Sequence, residues 1–154
     1  MLLKDKVCLI IGAGSLRSIG YATAELFAEH GAKVVVVDVN MNEKILKEIR
    51  SSIQKKISNP GIVHGFQCDI SKPEDCESLV RYTIDLFGTI DCLVNSAGIV
   101  QSQAFLEISE KELDQMFDIN LKGAFFVCQS VLRVFVEKQS GTIVNVASLA
   151  AQRG

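Results

Sequence analysis

Unbroken apolar, β-branched runs alternate along this chain with longer stretches in which apolar side chains recur every three or four positions. The runs are 6–11 (KVCLII), 33–38 (KVVVVD), 62–67 (IVHGFQ), 90–94 (IDCLV) and 142–147 (TIVNVA). Continuous apolar character suits parallel strands covered on both faces, because a strand with one wet face alternates apolar with polar residues. Between them, Ile19, Ala22, Thr23, Leu26 and Phe27 form one i, i+3, i+4 stripe, and Ile45, Leu46, Ile49, Ile53 and Ile57 form a second. Both stripes predict helices with one buried face.

Capping chemistry marks two later helix starts. Ser71 with Glu74, and Ser109 with Glu112, fit the S-x-x-E capping box that satisfies the first-turn N–H groups. Gly31 and Gly88 stand where a helix ends on a left-handed residue. The order βαβαβαβαβ predicts one α/β domain over 1–154, a doubly wound parallel sheet with strand order 3-2-1-4-5 that stops after its fifth strand. A length of 154 residues is enough for one buried core.

Charge and cysteine content narrow the partners. A net charge of -2 argues against a basic nucleic-acid surface. Apolar runs such as VVVV at 34–37 are far too short to span a bilayer, and MLLKDKVCLIIG shows no signal-peptide cleavage region. Neither nucleic acid nor membrane is therefore an expected partner. Cys8, Cys68, Cys76, Cys92 and Cys128 show no C-x-x-C spacing, so buried reduced thiols, no metal site and a cytoplasmic location are expected.

The first strand-to-helix connection, IGAGSLRSIG at 11–20, carries the candidate chemistry. In a doubly wound sheet this turn lies at the switch point, where helix N-terminal N–H groups favour a pyrophosphate. Gly12 and Gly14 permit a tight turn and Gly20 lets the helix pack close to the strand, while the Ser18 hydroxyl caps the helix or donates to a phosphate oxygen. Asp38 ends the second strand, close to the ~20-residue interval at which an acid meets the adenine ribose hydroxyls. Its charge would repel a 2′-phosphate, so NAD is expected over NADP. Arg17 is the one loop residue that pulls the other way.

Four further segments carry a family resemblance. NSAG at 95–98, DIN at 118–120, GTIVNVAS at 141–148 and CDIS at 68–71 resemble, in order and spacing, the motifs of short-chain dehydrogenases/reductases. The resemblance implies a Rossmann sheet and hydride transfer between a nicotinamide and a small alcohol or carbonyl substrate. By it, Ser148 would hydrogen-bond the substrate oxygen and Asn120 would hold a water in a proton relay. Gly12, Ser15, Arg17, Ser18, Ile19 and Gly20 would surround the cofactor's phosphates, and Asp38 its ribose. Asp69 and Ile70 would flank the adenine, and Asn95, Ala97 and Gly98 would line the nicotinamide half, Gly98 serving turn geometry as readily as contact. A homo-oligomer is expected for the full-length form.

Two departures qualify the match. Ile11 stands where the family has Thr, and Gly12-x5-Ser18-Ile19-Gly20 is similar to the loop of NADH-dependent enoyl reductases, a divergent branch. The family's acid/base is a Tyr with a Lys four residues on, yet Tyr21 is followed at that distance by Glu25 and Tyr82 by Leu86. The chain is thus expected to be the N-terminal part of an oxidoreductase, inactive alone. A non-catalytic dinucleotide-binding module and an enoyl reductase are the alternatives.

Overall fold

A computed structural model describes residues 1–58 and 60–148. The five apolar runs form β1 (Val7–Ile11), β2 (Lys33–Asp38), β3 (Val63–Gln67), β4 (Cys92–Asn95) and β5 (Thr142–Asn145). All are parallel, in the order β3-β2-β1-β4-β5, with Val7 opposite Lys33 and Ile11 opposite both Val37 and Asn95. The expected sheet order is the one observed. Strand side chains alternate between faces, and two cores result. Cys8, Ile10, Val34 and Val36 face α1 (Ile19–Glu29) and α2 (Glu43–Lys56). Leu9, Ile11, Val35 and Val37 face α3 (Pro73–Phe87) and α5 (Ala124–Lys138).

Two local expectations fail for physical reasons. In α1 the buried face is Gly20, Tyr21, Ala24 and Ala28, whereas Ile19 and Leu26 are exposed. Small residues win the inner face because the helix packs tightly on the sheet beside the glycine turn. The second stripe behaves as expected, with Leu46, Ile49 and Ile53 buried. The box at Ser71 does not form either. Pro73 takes the first helical position, where its missing N–H is harmless, so the cap falls on Lys72. Ser71 instead turns back onto Asp69, donating both its N–H (3.1 Å) and its hydroxyl (2.7 Å) to Oδ1. The box at Ser109 is complete and starts α4 (Glu110–Phe117).

Between α4 and α5 the helix widens into a π turn over Asp118–Gly123, and Asn120 sits in it. The whole stretch Glu110–Lys138 is long and apolar enough, by composition, to cross a membrane. Here Val127, Val131 and Phe135 belong to the core of the sheet, as the inner face of a packed helix does. Beneath the sheet, Asp91 ties the ends together. It accepts the Val7 N–H at 2.9 Å and the Lys138 ammonium at 2.7 Å.

Candidate active site

The C-terminal ends of the strands converge on a cleft of about 1090 Å³. The glycine turn forms its floor. Gly12 (φ +79°) and Ala13 donate N–H groups to the Val37 carbonyl at 2.8 and 3.1 Å, closing the turn over β2. A Cβ on Gly12 would stand 2.8 Å from the Ala97 nitrogen, and one on Gly20 only 2.5 Å from the Gly12 carbonyl oxygen. Both glycines are therefore required by close backbone approach. Ser15 accepts the Arg17 N–H at 3.3 Å, and Arg17 itself is exposed. Ser18 is the N-cap, its hydroxyl accepting the Tyr21 N–H at 3.0 Å. The first-turn N–H groups of Ile19 and Gly20 have no acceptor within the helix, which is the geometry an anion occupies.

Asp38 reaches over this floor. One carboxylate oxygen accepts the Gly14 N–H at 2.9 Å and the other the Asn40 N–H at 3.1 Å. It therefore fastens the loop as well as lining the cleft. Asp69 and Ile70 line the same end. The Asp69 N–H donates to Asp75 on α3, and Cys76 Sγ lies 3.6 Å from the Ile70 carbonyl.

Ala97 and Gly98 form the opposite wall. Asn95, 4% exposed, lies behind that wall, Oδ1 accepting the Ala97 N–H at 3.2 Å. Asn120 grips the next residue, its carboxamide accepting the Ile99 N–H and donating to the Ile99 carbonyl, each at 2.9 Å. Ser148 is exposed, three residues beyond β5. Gly12, Ser18, Asp38, Asp69, Ile70, Ala97 and Gly98 thus line one cleft, while Ser15, Arg17, Ile19, Gly20, Asn95, Asn120 and Ser148 stand outside its lining.

Sequence reasoning missed Ser96, Cys68 and the α4 side, where Glu110, Asp114 and Asp118 line the cleft. Their four-residue spacing after the Ser109 box was the available signal, since such residues share a helix face. Ser96 had a signal too, as the residue inside NSAG. Its hydroxyl donates to the Ile11 carbonyl at 2.7 Å and closes the end of β1.

The two tyrosines serve packing. Tyr21 is buried between α1 and α2, its hydroxyl bonded to Glu25 and to Ser52 (2.7 Å). Burial and the Glu25 carboxylate push its pKa up. Tyr82 packs on Phe66 at 4.8 Å between centroids.

This fold is shared widely. The sequence matches the short chain dehydrogenase family over residues 6–154. The chain belongs to that family. It is 36% identical over 155 residues to the 3-oxoacyl-(acyl-carrier-protein) reductase FabG of Thermotoga maritima, covering 100% of this chain and 60% of the relative. It is 33% identical over 154 residues to zerumbone synthase of Zingiber zerumbet, covering 98% of this chain and 54% of that one. Among solved structures, NAD+-bound xylitol dehydrogenase superposes with a TM-score of 0.88 at 31% identity, over 100% of this chain and 57% of that chain. Levodione reductase gives 0.89 at 33%, over 99% and 57%. This short-chain dehydrogenase chain therefore spans somewhat less than two thirds of the length of these relatives.

Proposed function

We propose that the chain is the cofactor-binding part of an NAD-dependent oxidoreductase that moves hydride between a nicotinamide and a small alcohol or carbonyl substrate. The observation that carries this reading is Asp38, placed at the cleft rim with its carboxylate over the glycine turn. The residues present fit a dinucleotide. Gly12 and Gly20 permit a turn that a Cβ would block, and the α1 N-terminus offers Ile19 and Gly20 N–H groups to a pyrophosphate. Ser15 and Arg17 stand at the mouth of that turn, Ser18 caps its helix, and Asp69 and Ile70 hold the adenine. Ala97 and Gly98, backed by Asn95, form the wall beside the nicotinamide, which supplies the hydride chemistry when bound.

On the substrate side, Ser148 donates a hydrogen bond to the carbonyl oxygen, and Asn120 holds the 99–120 junction where a water would sit. No Tyr in the sequence has a Lys four residues on, so residues 1–154 alone are proposed not to turn over. The enoyl-reductase and non-catalytic readings rest on the loop spacing and on that missing pair. Five free cysteines fit a reducing, cytoplasmic setting. No partner role for nucleic acid or membrane is proposed. The outer face of α4 and α5 is proposed to meet a second copy of the chain.

The test is a calorimetric titration of NAD+ and NADP+ against the chain. A 2′-phosphate about 4 Å from Asp38 would cost on the order of 1–4 kcal/mol, so NAD+ should bind about fivefold or more tighter. Asp38→Asn, which keeps an acceptor for the Gly14 N–H, should narrow that gap without loosening the loop. Equal or tighter NADP+ binding by the wild type would overturn the assignment.

A further inference from the structure

The last residues of β4 and β5 are both asparagines in direct register, Asn95 opposite Asn145. Both ends of the Asn95 carboxamide are engaged. Oδ1 accepts the Ala97 N–H at 3.2 Å and Nδ2 donates to Asn145 Oδ1 at 3.3 Å. The Asn145 carboxamide in turn meets Cys128 Sγ on α5 at 3.7 Å. Main chain reinforces the link, as the Val146 N–H donates to the Asn95 carbonyl at 2.9 Å. A continuous run of contacts therefore joins α5, the end of β5 and the turn that walls the cleft.

The physics of a buried amide makes this link directional. Asn95 is 4% exposed, so an Nδ2 without an acceptor would carry a desolvation cost. A planar carboxamide held at one end only can rotate to seek another partner, and Oδ1 then leaves the Ala97 N–H. Asn95 and Asn145 are the last register pair of β4 and β5, so the side-chain pair adds to the closing main-chain bond at the end of the strands.

We infer that Asn145 is a positioning residue, holding the Asn95 carboxamide in the orientation that fixes the Ala97 turn and so setting the cofactor wall relative to the strand end that leads to Ser148. This rests on the dinucleotide reading of the cleft. The role is distinct from that of Asn95, which touches the turn directly. Asn145 acts only through it.

Amide hydrogen exchange by NMR and NAD+ calorimetry on wild type, Asn145→Ala and Asn145→Asp test the inference. The Asp variant keeps an acceptor facing Asn95 Nδ2. In Asn145→Ala, Ala97 exchange should speed up about tenfold and NAD+ affinity fall about three- to tenfold, the scale of one net hydrogen bond. Asn145→Asp should hold the Ala97 amide within about twofold of wild type, since the acceptor is retained. The Val7 amide, bonded to Asp91 at the far end of the sheet, should be unaffected in both. Equal acceleration of Val7 and Ala97 would mean plain destabilisation and overturn the role, as would an Asn145→Ala protein matching wild type in exchange and affinity. Failure of NAD+ to bind the wild type overturns the cofactor reading instead, and the Ala97 comparison still decides whether Asn145 governs the turn.

Discussion

A few glycines and one acid determine whether the β1 turn can exist. Gly20 is the sharpest case, because the atom a Cβ would meet is main chain and cannot rotate away. Gly20→Ala should therefore cost about 1–3 kcal/mol, the range for overpacking a tight core. Gly88 offers the contrast: a Cβ there meets nothing within 4 Å, and only its φ of +74° opposes a side chain. Gly88→Ala should cost about 1 kcal/mol. Urea denaturation of both variants checks the order, and a Gly20→Ala protein as stable as wild type would show that the turn can shift. Asp38 has the complementary property of serving two ends at once. Its spacing from Gly20 made the acid legible in the sequence, but its bond to the Gly14 N–H did not show there, since loop closure depends on tertiary approach.

Elements were legible where one strong signal acted and failed where two competed. The unbroken apolar runs located all five strands, with β4 displaced to Cys92–Asn95 because pairing with β1 sets its register. Ser109 and Glu112 formed their box, whereas Pro73 overrode Ser71. The glycine and NSAG motifs placed the floor and one wall of the cleft. The spacing of Glu110, Asp114 and Asp118 marks only a shared helix face, and that this face closes the cleft depends on how a later helix folds over. Asp91 carries a pH signature at this scale. Its burial alone would raise its pKa, but the Lys138 hydrogen bond, the Val7 N–H and the charges of Lys138 and Lys6 outweigh burial and hold it below the ordinary 3.8. A depressed carboxylate stabilises fully above its unfolded pKa, and that stability is lost as pH falls through the lower folded value. Asp91→Asn should cost about 1–3 kcal/mol at pH 7, the scale of a charge-assisted bond. The gap to wild type should shrink as pH drops below about 4, where the unfolded carboxyl protonates. Denaturant midpoints between pH 7 and 3 measure it, and a constant gap would assign the effect to shape alone.

At the level of the whole molecule, one face carries an exposed apolar stripe. Leu113, Phe117, Leu121, Phe125, Leu132 and Val136 are exposed by 49%, 51%, 61%, 60%, 45% and 64%, all on α4, the π turn and α5. Steps of four residues drift around an α-helix, but a π turn takes more residues per turn and reverses the drift. The turn at Asp118–Gly123 thus keeps Leu113, Phe117, Leu121 and Phe125 nearer one line. An exposed apolar stripe of this size marks an interaction surface. The proposed occupant is a second copy, because a straight stripe is self-complementary about a twofold axis and charged residues such as Lys122 and Arg133 lie beside it. Phe125→Lys with Leu121→Lys should convert a dimer to monomer in sedimentation equilibrium while far-UV circular dichroism stays unchanged, since both side chains already face solvent. Neither Leu121 nor Phe125 lines the cleft, so NAD+ affinity should persist in the monomer. A wild-type chain that sediments as a monomer at micromolar concentration would remove the second copy as the occupant, and a double variant that still dimerises would move the interface elsewhere on the molecule.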